Sequence, residues 1–302
     1  MSDAEGEEHP TRGGLRIGKA LPERGPKQAY DERLEWDRDG QYFHYLTRWM
    51  HALDLVARAT RQPIYNQWAR ELALTACHAF SHGTSVRRLY WKMSIDLTRP
   101  LVPSMGQHDP LDGYITCLQL QTTAHSLREP NGDPGLEAAT RQFAEMIKRG
   151  LFATADPLGL GGLMCDAYRV QQLLLQGTPT AEGLLDSLLA AASNGIPYFV
   201  QGGDLQQPAS FRLGFRELGL AIGLQAIGRM WRSVEGHPKL SSQANLGAVL
   251  HGLMHYAPLG REIETFWRNP EHQAVTSWLE HRDINDVMLA TLLRPDGYLT
   301  LN

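Results

Sequence analysis

The chain has 302 residues, of which 42% are hydrophobic and 21% are charged, a composition typical of a globular protein with a sizeable core. Its 29 basic and 33 acidic residues give a net charge of −4, which argues against nucleic-acid binding, because nucleic-acid-binding domains usually carry a basic balance or a basic face. No apolar run approaches the length of a membrane-spanning helix, and the three cysteines suit neither a disulfide framework nor a cysteine-rich zinc site. We therefore expect a cytoplasmic protein with neither a membrane nor a nucleic-acid partner.

The first 30 residues are predicted to be disordered or extended. Met1–Gly14 is rich in glycine and charge and should be disordered. Leu15–Tyr30 should run as an extended segment on the body of the protein, because Pro22 and Pro26 prevent a regular helix. Residues 31–302 are predicted to form one domain.

From residue 31 onward the apolar residues follow helical spacing almost throughout. Tyr42, Leu46 and Trp49 begin one amphipathic helix, and Pro63 opens a second. Further helices are predicted near 110–127, 134–150, 158–176, 180–194, 208–232, 241–256, 260–268 and 284–294. Strand signals are scarce, the best being Ile196–Val200, so the sequence predicts an all-α fold.

Polar loops rich in Asp and Gly precede alternate helices, and they are marked by Gly40, Gly113, Gly159, Gly203 and Asp286. The interval from Gly113 to Gly159 is 46 residues and that from Gly159 to Gly203 is 44, each of which suits one helical hairpin. In an array of hairpins such loops emerge on one face. Loops on a rigid scaffold commonly carry function, so we expect the functional site there.

The stretch Leu34–Met50 (LEWDRDGQYFHYLTRWM) resembles the start of an inner helix in six-hairpin (α/α)6 toroid proteins. These include the glycosidase-like and N-acylglucosamine 2-epimerase-like superfamily. The resemblance is architectural and covers most of residues 34–295. It implies a toroid of helical hairpins, and since five polar loops are visible where a full toroid has six, the predicted ring is incomplete or contains an irregular hairpin.

The first candidate site lies in the loop before the first long helix. Asp37 and Asp39 stand near Trp36, Tyr42 and His44. Glycoside hydrolysis uses two carboxyl groups, one protonated and one ionised, and aromatic rings offer flat apolar faces to sugars. The alternative, about equally weighted, is that Asp39 caps the following helix.

The second candidate site is the group His108, Asp109 and Asp112. A histidine beside two carboxylates can act as an acid or a base near neutral pH. Trp91, with Trp36 and Tyr42, would supply an apolar wall that raises the pKa of one carboxyl. The alternative for Asp109 is an ordinary helix N-cap followed by a proline.

The third candidate site is the group His281, Arg282 and Asp283, in which Arg282 would bind a carboxylate or phosphate. Arg212 is a further substrate-binding candidate, or part of a half-buried helix face. Capping with a surface ion pair is the alternative for the third group. The pairs His78/His82 and His251/His255 lack a third ligand, so no metal is predicted.

Together these residues predict a carbohydrate-active enzyme, foremost a glycoside hydrolase, with a small-molecule carbohydrate as substrate and no cofactor. A sugar epimerase or isomerase with histidine proton carriers (His44, His108 or His281) is the alternative among enzymes. A non-catalytic helical scaffold that binds a glycan or a protein is the alternative outside enzymes. We expect the candidate residues to surround one cavity although they are far apart in the sequence.

Overall fold

The computed structural model describes residues 3–127, 135–148, 151–236 and 244–301. The chain consists of two compact units, Met1–Leu151 (unit 1) and Phe152–Asn302 (unit 2). Helices dominate both units, which confirms the predicted all-α class. The toroid of hairpins and the single domain over residues 31–302 stay predictions.

The described part of unit 1 is built around a group of long helices. Its helices are α1 (Asp3–Glu8), α2 (Glu32–Asp37), α3 (Phe43–Thr60), α4 (Pro63–Phe80), α5 (Asp109–Ser126) and α6 (Glu137–Ile147). Helices α3 and α4 pack on each other and on α5. At the centre of this core the ring of Phe43 meets the rings of Phe80 and Phe143 edge-on, at 5.7 and 5.8 Å.

Short strands lie between α2 and α3 and between α4 and α5, although the sequence shows no signal for them. They are β1 (Gln41–Tyr42), β2 (Ser81–His82), β3 (Arg88–Leu89), β4 (Lys92–Met93) and β5 (Pro100–Val102). They form a three-stranded antiparallel sheet of order β1-β4-β5 and a separate β2-β3 hairpin. Elements of two or three residues are too short to show alternation of apolar and polar residues.

The N-terminal segment is more ordered than the sequence predicts. Helix α1 lies within the stretch expected to be disordered, and Thr11 is buried, with its hydroxyl donating to the carbonyl of Trp68 over 2.7 Å. The indole of Trp68 in turn donates to the carbonyl of Glu8 over 2.9 Å. These polar contacts with α4 stabilise a segment whose composition alone does not indicate order.

Residues 15–30 run beside the loop between α2 and β1. The backbone N–H of Ile17 donates to the carbonyl of Gly40 over 3.0 Å, and Leu21 forms an isolated bridge with Arg38. Arg24 pairs with the buried carboxylate of Glu35, which also contacts the Nζ of Lys92 at 3.1 Å. The segment therefore holds the loop that precedes α3.

Unit 2 is organised around one long helix, α9 (Gly214–Gly236), which packs on several of the others. The others in the described part are α7 (Pro157–Leu175), α8 (Leu184–Gln201), α10 (Ala244–Met254), α11 (Ala257–Trp267), α12 (Pro270–Gln273), α13 (Thr276–Leu279), α14 (Arg282–Leu293) and α15 (Asp296–Leu299), with 3-10 turns at Asp204–Gln206 and Ala209–Phe211.

The strand signal at Ile196–Val200 is wrong, because these residues complete α8. The apolar run looks strand-like on its own, but the preceding turns bury residues at helical spacing, including Leu188 and Ala192, and Ile196 continues that face. Pro197 lies inside the helix and does not end it.

The glycines near Gly159 form a helix-packing surface. A Cβ at Gly161 would lie 2.1 Å from the carbonyl oxygen of Gly219, and a Cβ at Gly223 would lie 2.7 Å from the Cα of Gly161. Helices α7 and α9 therefore cross with their backbones nearly in contact, which only glycine permits.

Candidate functional site

A pair of buried carboxyl groups lies in the first turn of α5. Asp109 and Asp112 are 8% and 7% exposed, and their spacing of three residues places them on one face of the helix. Asp109 is the first residue of α5, with His108 at the N-cap position, so Asp109 does not cap the helix. Its Oδ2 instead accepts a hydrogen bond from the backbone N–H of Gly106 over 2.9 Å.

Asp112 is held by two neighbours on α3. The hydroxyl oxygen of Thr47 lies 2.6 Å from Oδ2 of Asp112 and 2.9 Å from the carbonyl oxygen of His44, so its one proton is shared between two acceptors. Nη2 of Arg48 lies 3.5 Å from the same Oδ2 and places a positive charge beside the carboxyl. Arg48 is half-exposed, so the carboxylate lies at the border between the helix interface and solvent.

Asp109 has the opposite environment. Burial raises the pKa of its carboxyl to about 7, and the negative charge of Asp112 acts in the same direction. The Gly106 N–H and the Arg48 charge oppose this rise without cancelling it. Two carboxyls one helical turn apart therefore have different surroundings, since burial keeps Asp109 about half protonated at pH 7 while Asp112 lies beside the Arg48 guanidinium.

His44, in the first turn of α3, adjoins this pair. The indole Nε1–H of Trp91 donates to Nδ1 of His44 over 3.0 Å. Burial and the charge of Arg48 lower the pKa of the imidazole, the charge of Asp112 raises it, and the net pKa is about 4. At neutral pH the ring is therefore neutral, and because Nδ1 accepts a hydrogen bond, its proton is on Nε2.

Aromatic rings surround His44. The ring of Trp91 meets Trp36 edge-on at 4.8 Å and Tyr42 at 5.9 Å, and Tyr42 stacks with Trp36 at 6.5 Å. Tyr42 is buried, whereas Trp36 is 48% exposed. The cluster thus exposes the indole of Trp36 to solvent and buries the ring of Tyr42.

The two carboxylates of the first candidate site have different surroundings. Asp37 is exposed at the end of α2. Asp39 is 1% exposed, accepts from the backbone N–H groups of Gly18 and Gly40 at 2.8 Å, and contacts Arg16 at 2.6 Å. Burial raises the pKa of Asp39, but these hydrogen bonds outweigh burial and lower it overall. Asp39 does not cap α3, whose N-cap is Tyr42; it anchors the N-terminal segment.

The third candidate site belongs to unit 2. His281, Arg282 and Asp283 are exposed at the start of α14. The ring of His281 lies 5.3 Å from that of Phe215, and Arg282 forms an exposed ion pair with Asp286 at 3.5 Å. This pair matches the ion-pair part of the alternative interpretation, whereas the side chain of His281, at the N-cap position, does not cap α14. The convergence of the unit 1 and unit 2 candidates on one cavity stays a prediction.

Arg212 is engaged within unit 2. The residue is 5% exposed. Its guanidinium donates to both carboxylate oxygens of Glu217, at 2.9 and 2.6 Å, and to the carbonyl of Leu205 at 2.9 Å. The indole of Trp267 also donates to Glu217, over 2.8 Å. The arrangement is a buried ion pair with hydrogen bonds on both partners, and it accounts for Arg212 without a substrate.

Sequence analysis missed the residues of α3 that organise the carboxyl pair. Thr47 and Arg48 follow His44 by three and four positions, and the polar face continues with His51 and Asp54. The amide of Gln119 on α5 donates to Asp54 over 2.8 Å and contacts Nδ1 of His51. Polar residues at three- and four-residue intervals on an otherwise apolar face are the signal that would have indicated this interface.

No metal centre emerges from the parts of the chain that the structure describes: they contain no group of three or more His, Cys, Asp or Glu side chains able to hold an ion. His251 lies in α10 and His255 in the turn that follows it, with ring centroids 5.0 Å apart. His82 stacks on Tyr90 at 4.0 Å.

Comparison of the chain with protein-family models, with curated proteins and with solved structures gives no match. The likeness to toroid glycosidases and epimerases therefore rests on the stretch Leu34–Met50 and the rhythm of the polar loops. Within the described ranges no helix combines the length and the apolar character needed to cross a membrane.

Proposed function

We propose that this protein is a carbohydrate-active enzyme, foremost a glycoside hydrolase, with Asp109 as general acid and Asp112 as the ionised partner. One observation carries the proposal. The two carboxyls lie one helical turn apart and are both buried, yet burial raises the pKa of Asp109 to about 7, whereas the guanidinium of Arg48 lies 3.5 Å from Asp112. A carboxyl that keeps its proton toward neutral pH beside an ionised partner is what acid/base cleavage of a glycosidic bond requires.

In this mechanism Asp109 gives its proton to the glycosidic oxygen as the bond to the leaving group breaks. The negative charge of Asp112 stabilises the positive charge that develops on the sugar ring. After the leaving group departs, the deprotonated Asp109 accepts a proton from the attacking water.

The aromatic cluster supports a carbohydrate as the substrate. The half-exposed ring of Trp36 and the packed ring of Trp91 offer apolar faces of the kind that stack on the C–H surface of a sugar. His44 connects this cluster with the carboxyls, because its ring accepts a hydrogen bond from Trp91 and the charge of Asp112 raises its pKa.

The test is turnover of a panel of aryl glycosides by the wild type and by Asp109→Asn and Asp112→Asn. Each substitution should lower kcat by about 100-fold or more, and both variants should stay folded because the side chains are nearly isosteric. Asp186→Asn, at an exposed position on α8, is the matched control and should behave as the wild type. Equal turnover by all four proteins would exclude the assigned roles, and no turnover by the wild type would exclude a hydrolase acting on these sugars.

A sugar epimerase is the second candidate, and the neutral, oriented imidazole of His44 favours it. An epimerase moves a proton to and from carbon, for which a neutral histidine near a carboxylic acid is suited. Incubation with reducing sugars in D2O distinguishes the two: an epimerase incorporates solvent deuterium at the epimerised carbon, and His44→Asn should abolish incorporation. A hydrolase releases product without exchange at carbon.

A further inference from the structure

Unit 1 contains a cavity of about 430 Å³ that includes none of the candidate site residues. One wall is the loop between β2 and β3, with Val86 and Arg87, and the other is one face of α6, with Arg141, Gln142, Glu145 and Met146. The volume lies within the range of pockets that bind small molecules. The cavity therefore has room for a ligand that is distinct from the proposed sugar substrate.

The charged groups of the cavity favour an anion. Arg87 and Arg141 face it from the two walls, and its carboxylate, Glu145, is already paired with Lys148 one turn further along α6. The local balance is thus positive although the chain as a whole is negative. Guanidinium groups match the oxygens of phosphate and carboxylate with paired N–H donors.

The arginine of the loop is held in position before any ligand arrives. Nη1 of Arg87 donates to Oε1 of Gln142 over 2.7 Å, and the amide nitrogen of Gln142 donates to the hydroxyl of Ser81 at the start of the same hairpin. Fixing a long side chain in advance lowers the entropy lost on binding.

The loop itself is tightly built. Gly83 has a φ of +86°, and a Cβ there would lie 2.3 Å from the carbonyl oxygen of Val86. Only glycine fits this turn, so the backbone that carries Arg87 has little freedom to adopt another conformation.

We propose that this cavity binds a small phosphomonoester. Two guanidinium groups that line one cavity suit the two negative charges of one phosphate better than the single charge of a carboxylate. Val86 and Met146 supply apolar surface for the organic part of the ligand. The proposal does not depend on the function proposed for the Asp109–Asp112 pair.

The test is isothermal titration calorimetry of the full chain with phenyl phosphate, inorganic phosphate and benzoate. Phenyl phosphate should bind with a Kd of about 1 mM or tighter, more tightly than inorganic phosphate and at least about tenfold more tightly than benzoate. Arg87→Gln and Arg141→Gln should each weaken binding at least about tenfold. Glu145→Gln should strengthen binding about threefold, because it removes the negative charge.

Arg33→Gln, at an exposed position on α2, is the matched control and should leave binding unchanged. Because Arg87 also supports Gln142, the melting temperatures of the variants are compared with that of the wild type. If Arg87→Gln does not fold, the affinities of Arg141→Gln and Glu145→Gln for phenyl phosphate test the proposal. Absence of binding to the wild type, binding that these variants leave unaltered, or equal affinity for benzoate would overturn the proposal.

Discussion

The indole N–H of Trp91 donates to Nδ1 of His44 over 3.0 Å, and this contact selects one tautomer of the neutral imidazole. Trp91 is held there by the backbone, since the N–H of Phe43 donates to the Trp91 carbonyl over 3.2 Å. Trp91, which lies between β3 and β4, and the first turn of α3 thereby fix the imidazole of His44 near Asp112.

We predict that His44 is neutral down to about pH 4, with its proton on Nε2. Nitrogen-15 NMR of the imidazole should show this tautomer, and Trp91→Phe should shift the equilibrium toward the Nδ1–H form because the indole donor is gone. A wild-type imidazole that protonates near pH 6.5 would contradict the burial that we assign to it.

The lowered pKa of His44 should make the free energy of unfolding depend on pH in the acidic range. The folded-state pKa, about 4, lies below the ordinary value of 6.5, so the unfolded chain binds the proton more readily. Stability is therefore full above pH 6.5 and falls by up to about 3 kcal/mol as the pH drops toward 4. Urea unfolding of His44→Asn should show a smaller loss over this interval than the wild type, and an identical loss in both proteins would assign it to other groups.

Asp109 should produce the opposite dependence. Its folded-state pKa, about 7, lies above the ordinary value of 3.8, so the folded chain holds the proton more tightly. Its contribution is complete below pH 3.8 and is lost by up to about 4 kcal/mol as the pH rises through 7. Relative to the wild type, Asp109→Asn should therefore gain stability between pH 5 and pH 8, measured by urea unfolding at both values. Parallel stability curves would contradict this.

Adjacent glycines of α7 provide a matched pair for the helix crossing in unit 2. Gly161→Ala places a methyl group 2.1 Å from the Gly219 carbonyl oxygen and should cost at least about 2 kcal/mol. Gly162→Ala meets no atom within 4 Å and should stabilise by up to about 1 kcal/mol, because alanine favours the helix. Thermal unfolding of both variants checks the crossing, and equal effects would show that the helices are not in backbone contact.

Arg212 should act on stability and not on turnover. Arg212→Gln leaves the buried carboxylate of Glu217 without its cation and should cost about 3–5 kcal/mol, whereas Arg282→Gln, at an exposed ion pair, should change stability by less than about 0.5 kcal/mol. Urea unfolding beside turnover per folded molecule separates the roles. Lower turnover with unchanged stability would restore the prediction that Arg212 binds substrate.

The sequence predicted the all-α class and the long helices well, because each carries apolar residues at helical spacing over many turns. The strands β1–β5 were missed since none is long enough to alternate. The helical course of residues 196–200 was misassigned because a short apolar run looks the same in a buried strand and in a buried helix.

The carboxyl pair of the candidate site and His44 were found from the local density of polar residues, and Trp91 from the apolar wall that such a carboxyl pair needs. Their relationships were not accessible from sequence, because they depend on contacts between α3 and α5 and between α3 and the segment at Trp91. Arg212 and Asp39 show the reverse case: their residue types suggest chemistry, but ion pairs with the buried Glu217 and with the exposed Arg16 account for them.

The measurement that tests the central claim most directly is a carbon-13 NMR titration of the aspartate carboxyls in the wild type, Asp109→Asn and Asp112→Asn. We expect one carboxyl that titrates near pH 7, disappears in Asp109→Asn, and titrates at lower pH in Asp112→Asn because the neighbouring negative charge is gone. If no aspartate of the wild type titrates above about pH 5, Asp109 is ionised at neutral pH and cannot be the general acid.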